Sequence, residues 1–293
     1  MCQLAQVSRA SFYRSWQQAE PDEAEMAIRD AVQRAAIAHR RYGYRRIAVV
    51  VQREGVAVGA KRVLQIMRED NLLAIRSRKF VVTTDSDHPF LVYPNLAACL
   101  HLTDINQLWV ADITYLRLLR EFVFLAVVLD AFSRKVVGWA LSRSMQSKLP
   151  LAALNRAIEE RHPAPGLVHH SDQGAQYACA DYIHRLEEQQ MLVSMSRAGR
   201  PWENARCESF IKTLKYEEID GRVFATLEEV ERNVEHFIAR VYNTTRLHSA
   251  LGYLSPAEFE KQHACGRQQQ FASLPLALSF QRHKEIESDA PQD

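Results

Sequence analysis

Hydrophobic residues recur at helical spacing in the first third of the chain. Residues 22–40 (DEAEMAIRDAVQRAAIAHR) have acidic side chains in the first turn and basic ones in the last, which is typical of an amphipathic helix. Two shorter apolar patterns follow, in RRYGYRRIAVVVQREG and VGAKRVLQIMREDNLL, with a break at Gly55 between them. These patterns predict a small helical, helix-turn-helix-like domain, although a plain helical hairpin would show the same pattern.

The middle of the chain has a β pattern instead. Three apolar or β-branched runs, LWVADITYLRLL, EFVFLAVVLDAFS and RKVVGWALS, follow one another closely and predict an antiparallel meander. After them we expect helices over 148–161, 178–190, 202–218 and 227–242, with short strands over 166–170 and 191–196. Strands followed by alternating helices and strands predict an α/β fold with a mixed sheet flanked by helices.

Periodicity and composition also suggest the domain boundaries. The basic stretch after Ile75 shows no sustained period and contains Pro89 and Pro94, so we place a linker at residues 81–100. The helical region would occupy residues 1–80, and the mixed-sheet domain would occupy residues 101–262. We expect the polar tail, residues 263–293, to be disordered.

Charge is distributed unevenly along the 293 residues, although the net charge is only +2. Residues 34–79 contain twelve Lys or Arg against three Asp or Glu, whereas the residues after Gln281 lean acidic, with four Asp or Glu against two Lys or Arg. A basic segment of this kind favours an anionic partner such as nucleic acid, unless it is only a solvated face.

The five cysteines are scattered and form no CxxC pair, which argues against a disulfide framework or a structural zinc site. The longest apolar run, Phe122–Leu129, is too short to span a bilayer. These features predict a soluble intracellular protein with no membrane partner.

Three acidic residues stand out by position. Asp112 lies within the first predicted strand, Asp172 directly follows a later strand, and Glu208 lies on a predicted helix. A carboxylate near a buried strand needs a compensating partner, and a divalent metal is the strongest one available. Acids brought together from separate elements would form an all-oxygen site, which suits Mg²⁺ or Mn²⁺ better than zinc.

The helix of Glu208 has further polar residues at helical spacing. Asn204, Lys212 and Lys215 would share a face with Glu208 and could contact a phosphodiester backbone. Taken alone, the Glu208–Lys212 spacing is equally that of an ordinary surface ion pair.

The chain then shows an ordered set of motifs. WVADITYL, VVLDAFSRKVVGWAL, HHSDQGAQYA, GRPWENARCESFIKTLKYE and YNTTRLHSALGYLSPAEFE resemble, in that order, the catalytic core of transposases of the IS-three insertion-sequence family. The resemblance covers about residues 7–260 and is to the product of the downstream reading frame, OrfB. The 35 residues between Asp172 and Glu208 resemble the DDE signature shared with retroviral integrases.

The resemblance implies an RNase H-like fold in which Asp112, Asp172 and Glu208 are catalytic and bind two Mg²⁺ ions when DNA is present, with Mn²⁺ as a substitute. It also implies DNA integration, in which the 3′ end of an element is nicked and then transferred to another strand. The partners implied are terminal inverted repeats, target DNA, further copies of this chain on DNA and the protein of the upstream frame. The implied location is the bacterial cytoplasm, at the nucleoid. Candidate DNA contacts outside the acidic triad are Lys212, Lys215, Asn204, Arg200, Arg45, Arg46, Lys61 and Arg62.

Other chemistry-bearing residues favour structural roles. We interpret Asp130, at the end of a strand, as a turn residue, and Asp104 as a cap or loop acid. His169 and His170 have no partner at the spacing of a zinc module, so a structural or DNA-proximal role is expected. Tyr177 and Trp202 could stack on bases, but we expect core packing for both.

Two other functions fit the same residues. A regulator could keep the fold and DNA binding without catalysis, and an RNase H-like nuclease could cut without joining. The intact acids argue against the first, and the lysines with the YNTTRLHSALGY segment favour a transposase over the second.

Overall fold

The computed structural model describes residues 23–74, 91–197 and 199–272, and the chain divides into two compact units, residues 1–79 and 80–293. Residues 1–22, most of the predicted linker (up to residue 90) and the end of the predicted tail (from residue 273) lie outside the described residues. The domain boundaries proposed above remain a prediction. No helix in the described ranges is long and apolar enough to cross a bilayer.

The first unit contains the three predicted helices: α1 (Glu23–Ala38), α2 (Tyr44–Arg53) and α3 (Ala60–Glu69). Apolar residues from each helix are fully buried and form one small core, namely Val32, Ile47, Val51, Val63 and Ile66. The turn between α2 and α3 contains Gly55 at φ +89°, a conformation that glycine adopts at little cost.

Ion pairs fix the first helix of this unit to the third. Arg29 of α1 donates to Asp70 at 2.5 Å and also pairs with Glu69, and Arg62 of α3 pairs with Glu25 of α1. Arg62, expected to contact DNA, is therefore engaged within the unit.

The second unit is built on a five-stranded sheet with the order β3-β2-β1-β4-β5. Its strands are β1 (Leu108–Arg117), β2 (Phe122–Asp130), β3 (Val136–Ser142), β4 (Val168–Ser171) and β5 (Leu192–Met195). The first three strands are antiparallel, as the meander predicted, and β4 and β5 continue the sheet parallel to β1. This topology is RNase H-like, and the predicted α/β fold class is confirmed.

The sheet separates two hydrophobic cores because side chains alternate between its faces. On β1, Leu108 and Val110 belong to one core, whereas Trp109 and Ala111 belong to the other. Asp112 continues this alternation, so its side chain lies on the same face as Leu108 and Val110. The helix that covers this face therefore supplies the neighbours of its carboxylate.

Helices cover both faces. The face opposite Asp112 packs against α4 (Lys148–Arg161) and α6 (Ala180–Glu188). A single helical turn, α5 (Ala175–Ala178), precedes α6. The face of Asp112 packs against α7 (Ala205–Leu214) and α8 (Leu227–His236). A 3₁₀ turn (Pro201–Asn204) precedes α7, and π-helical segments (Lys215–Ile219 and Phe237–Tyr242) continue α7 and α8.

The last described helix, α9 (Pro256–Ala272), runs past residue 262, where we had placed the start of a disordered tail. Ser255 precedes it and accepts a hydrogen bond from the Glu258 amide, while the Glu258 side chain accepts one from the Ser255 amide. This reciprocal cap starts the helix in the SPAEFE segment. The helix then continues to Ala272, beyond the expected boundary at residue 262.

Candidate active site

Strand register brings the two aspartates side by side. In the parallel pairing of β1 and β4, Leu108 lies beside Val168 and Val110 beside His170. Continuing the same register by two residues places Asp112 beside Asp172, which directly follows the last residue of β4. Neighbours in register on parallel strands point to the same face, so the two carboxylates share the face covered by α7.

Asn204 fixes the start of α7 to the same strand. Its Nδ2 donates a 2.9 Å hydrogen bond to the carbonyl of Ala111, the residue before Asp112. Asn204 is buried, so this amide positions the helix and does not face solvent as a DNA contact would. Glu208, one turn further along α7, is exposed at its beginning.

Burial and like charge both act on Asp112. Burial, and then the neighbouring charge of Asp172, raise the pKa of Asp112 to about 8, and Glu208 adds to the shift from further away. The backbone amide of Ile113 opposes the shift by donating to Asp112 Oδ1 at 2.8 Å. Burial also raises the pKa of Glu208 above its usual value. The site is thus a place where added negative charge is costly and a cation is favoured.

The aspartates and the glutamate are close but not yet at ligand distance from one point. Within 23–74, 91–197 and 199–272, no three His, Cys, Asp or Glu side chains are arranged to hold one metal ion. Asp112 lies on β1, Asp172 directly follows β4, and Glu208 lies on α7. The donor set itself, carboxylate oxygens only, fits a hard divalent cation.

Lys215 and Lys212 differ in their surroundings. Lys215 lies in the π-helical continuation of α7, with Nζ 4.3 Å from the centre of the Tyr115 ring on β1. Burial lowers the pKa of Lys215 to about 8, and the charges of Asp220 and Asp112 oppose the shift. Lys212 is exposed on α7. Lys215 therefore belongs to the surroundings of Asp112, and Lys212 lies on the outer surface of α7.

Tyr177, for which sequence reasoning favoured core packing over stacking on bases, is part of the same environment. It is buried, as expected, and its hydroxyl has no hydrogen-bond partner among the described residues. The charges of Asp112 and Asp172 contribute to raising its pKa, after burial and Tyr182. Tyr177 is the third residue of α5, which begins shortly after Asp172. This closeness in sequence was the signal that Tyr177 lies near the aspartates.

The segment before α7 is organised by Glu203. Its carboxylate accepts hydrogen bonds from Arg197 at 2.6 and 2.8 Å and from Asn95 at 2.7 Å. Arg200 lies 3.8 Å from the same carboxylate and is exposed. Trp202 is 65% exposed, so the expectation that it packs in the core was wrong.

The basic residues of the first unit are only partly available. Arg45 and Lys61 are exposed, whereas Arg46 lies over the ring of Tyr42, with 5.3 Å from Cζ to the ring centre. Arg62 is paired with Glu25, as described above.

The remaining acidic and histidine residues have structural roles. Asp130 accepts backbone hydrogen bonds from Asn106, Phe132 and Ser133, which confirms its interpretation as a turn residue. Asp104 accepts from the Ile105 amide in a loop.

His169 and His170 are buried. His169 Nε2 lies 3.0 Å from the Tyr182 hydroxyl, and His170 Nδ1 lies 2.8 Å from Ser194 Oγ. Burial lowers the pKa of these two imidazoles to about 3 and about 4, respectively, so both are neutral near pH 7. Their place is in the core of the fold.

Comparison with known proteins covers both units. Residues 103–201 and 189–256 match the family descriptions "Integrase core domain", and residues 22–80 match "HTH-like domain". The catalytic core domain of HTLV-2 integrase, solved in complex with magnesium, aligns with a TM-score of 0.42 at 15% identity, over 54% of this chain and 97% of that chain.

Relatives align along nearly the whole chain. The transposase for insertion sequence element IS904 of Lactococcus lactis is 40% identical over 76% of this chain and 89% of its own length. The IS600 31 kDa protein of Shigella sonnei is 36% identical over 90% of this chain and 98% of its own. Transposase InsF of IS3A from Escherichia coli is 35% identical over 90% and 93%. The chain therefore belongs to the family of insertion-sequence transposases that have an integrase core domain.

Proposed function

We propose that this chain catalyses metal-dependent nicking at the 3′ ends of an insertion sequence and the transfer of those ends to target DNA. Asp112, Asp172 and Glu208 would be the catalytic acids and the metal ligands. The observation that supports this most strongly is the register of β1 and β4, which aligns the half-buried Asp112 with Asp172 on the face that meets α7.

The residues present fit a divalent cation. The pKa of Asp112 is raised by burial and by Asp172, so a bound cation would relieve both the desolvation and the repulsion. When bound, two Mg²⁺ ions, or Mn²⁺ in their place, would lower the pKa of the attacking water or 3′-hydroxyl and stabilise the leaving oxygen. Glu208, exposed at the start of α7, would complete the ligand set when the metal and DNA are present.

Neighbouring residues would hold the DNA and the helix in place. Lys212 on the exposed surface of α7 can meet a backbone phosphate. Lys215 contributes positive charge beside Asp112. Asn204 holds the first turn of α7 against β1, which keeps Glu208 near the aspartate pair.

The first unit would bind DNA. Its match to an HTH-like domain and its exposed Arg45 and Lys61 support contacts to phosphates and base edges. The DNA partners would be the terminal inverted repeats and the target, bound by several copies of this chain, with the upstream-frame protein as a further partner. The place of action would be the bacterial cytoplasm, at the nucleoid.

The test is incubation with Mg²⁺ or Mn²⁺ and a labelled duplex of the element's terminal repeat. Joined products are expected; cleavage without joining would indicate a nuclease, and a gel shift alone would indicate a regulator. Asp172→Asn and Glu208→Gln should each abolish nicking and joining but leave DNA binding. The matched controls are Asp181→Asn and Glu235→Gln, since both residues are exposed on other helices. Full activity in Asp172→Asn would contradict the proposal.

A further inference from the structure

A cavity of about 280 Å³ opens in the mixed-sheet unit where β2 turns into β3. Its wall combines the segment before β1, the turn itself, the start of α7 and the 3₁₀ turn Ser249–Leu251. The side chains that give it chemical character are His101, Phe132, Arg134 and Arg206. None of these was a candidate site residue on sequence grounds.

The two guanidinium groups in this wall have no carboxylate bound to them. In the described part of the chain, neither the Arg134 nor the Arg206 side chain donates a hydrogen bond or forms a salt bridge. Asp130, the acid nearest to them in sequence, uses both of its oxygens to accept backbone amides. The other half-buried arginines described in this unit are paired: Arg161 lies 2.6 Å from Glu260, and Arg185 lies 2.8 Å from Glu188.

The positive charges also lie near each other. Burial and then the charge of Arg134 lower the pKa of Arg206, and the charge of Asp130 opposes the shift with a smaller effect; Arg206 nevertheless stays protonated at any physiological pH. Among the residues that the structure describes, Asp130 forms no salt bridge with either arginine, so the repulsion between two guanidinium groups that face one small cavity would be relieved further by an anion bound between them. Guanidinium groups bind phosphate oxygens through paired N–H donors, and two of them together match the several oxygens of one phosphate.

We propose that the pocket between Arg134 and Arg206 binds a backbone phosphate of the DNA strand that enters the active site. This inference rests on the proposed function, because it takes the ligand to be the DNA on which the acids act. The volume is small for a drug-sized ligand but sufficient for one phosphate group with ordered water.

The position of the pocket fits a phosphate a few nucleotides from the reacting one. Ala131, in the wall, donates its backbone N–H to Leu108 at the start of β1, and Asp112 lies four residues further along that strand. At the rise of an extended strand this separation is about 13 Å. Arg206 also shares the first turn of α7 with Glu208, so a phosphate held there would fix this helix relative to the DNA.

A phosphate held at this distance would position the strand and take no part in bond breaking. Replacing either arginine should therefore raise the KM for DNA more than it lowers kcat. Removing one phosphate-binding arginine should also reduce the slope of log affinity against log salt by about one. The expected decrease in affinity is about tenfold for each arginine.

The experiment compares Arg134→Gln, Arg206→Gln and the double variant with the wild type in the full chain. DNA binding to a terminal-repeat duplex is measured without divalent metal at several salt concentrations, and nicking is measured with Mg²⁺ at graded DNA concentrations. The matched control is Arg143→Gln, which removes the same charge at the other end of β3, where Arg143 pairs with Glu121. The salt slope should fall by about two in the double variant and should stay unchanged in the control.

The binding measurement separates this proposal from the proposed function. A wild type that neither nicks nor joins would refute the function, while the salt slope would still report on the pocket. A double variant with the wild-type slope and KM would overturn the phosphate site. If a Gln variant melts early, the doubly substituted Arg134→Lys, Arg206→Lys chain keeps the charge but has no paired donors. It should keep the slope and raise the KM at least about twofold, and an unchanged KM in that chain would overturn the proposal.

Discussion

At the scale of single residues, the main feature is the position of Asp112. The Asp112 carboxylate in the interior of β1, with a second carboxylate beside it on Asp172 directly after β4, is unfavourable for the fold alone. The raised pKa of Asp112 has the direction expected from this cost, and a bound divalent cation would offset it. We therefore propose that the position of Asp112 serves metal binding and not the stability of the fold.

This view predicts that Asp112→Asn stabilises the metal-free protein. The folded-state pKa of about 8 lies above the ordinary value of about 4, so the folded state retains a proton that the unfolded state releases. The contribution of the Asp112 carboxyl group to stability is therefore fully present below about pH 4 and is lost as the pH rises toward 8. In urea unfolding with EDTA, the free energy of unfolding of Asp112→Asn should exceed that of the wild type by on the order of 3 kcal/mol at pH 8, and by less at pH 5.

The control for that comparison is Asp181→Asn, since Asp181 is exposed at the start of α6. It should follow the wild type at both pH values. Adding Mg²⁺ at pH 8 should stabilise the wild type but not Asp112→Asn. If the free energy of unfolding of Asp112→Asn changed with pH in the same way as that of the wild type, the idea that the Asp112 carboxylate is destabilising would be refuted.

Sequence reasoning could propose the acids of the site more readily than it could predict the surroundings of the neighbouring polar residues. Asp112, Asp172 and Glu208 were proposed because strand ends and ordered motifs are visible in the chain, and their catalytic role stays a prediction. The hydrogen bond of Asn204 to Ala111, the pair of Arg62 with Glu25 and the exposed ring of Trp202 were not foreseen, because they depend on tertiary contacts. The Arg134–Arg206 pocket was not foreseen, since its residues are 72 positions apart and belong to no shared pattern.

At the scale of elements, the packing of α4 on β3 depends on a close approach at Gly138. A Cβ added at this position would lie 2.2 Å from the Ala153 carbonyl oxygen and 2.8 Å from the Ala157 Cβ. Small residues on both sides let the helix lie directly on the strand. This contact holds one face of the sheet whose other face carries the acids.

Gly138→Ala should destabilise the protein by about 1–3 kcal/mol, because the helix must move away from the strand to admit the methyl group. The measurement is a shift of the urea midpoint at an unchanged slope. Gly266→Ala in α9 is the control, since no atom lies within 4 Å of a Cβ added there and alanine favours the helix. A Gly138→Ala chain as stable as the wild type would show that the close approach is not required.

The elements of the fold were largely visible in the sequence. The predicted helix over 148–161 coincides with α4, and all five strands lie where the apolar runs placed them. The π-helical ends of α7 and α8 were not predicted, because hydrophobic spacing does not distinguish one extra residue in a turn. The full length of α9 was missed because its sequence is too polar to show an apolar face.

At the scale of the whole molecule, one chain combines a helical unit that matches an HTH-like domain with an integrase core. The excess of basic residues over 34–79 belongs mainly to the first unit. A transposase needs both a means of holding DNA and a means of cutting it, and we propose that the first unit supplies the former and the second unit the latter.

DNA binding by the full chain should weaken steeply as salt rises, because phosphate contacts release counterions. Replacing Arg45 and Lys61 by Gln together should lower the salt slope by about two if both meet phosphates. Lys261→Gln, an exposed lysine of α9, is the matched control. Fluorescence anisotropy with a duplex at several salt concentrations gives the slope, and an unchanged slope in the double variant would exclude these two contacts.

The most direct test of the account is anomalous diffraction from crystals of the full chain with terminal-repeat DNA and Mn²⁺. We expect a manganese peak within about 2.2 Å of carboxylate oxygens from both Asp112 and Asp172, with Glu208 drawn in to complete the ligands. Manganese bound only elsewhere, with the two aspartates left without it, would contradict the assignment of these acids as the catalytic centre.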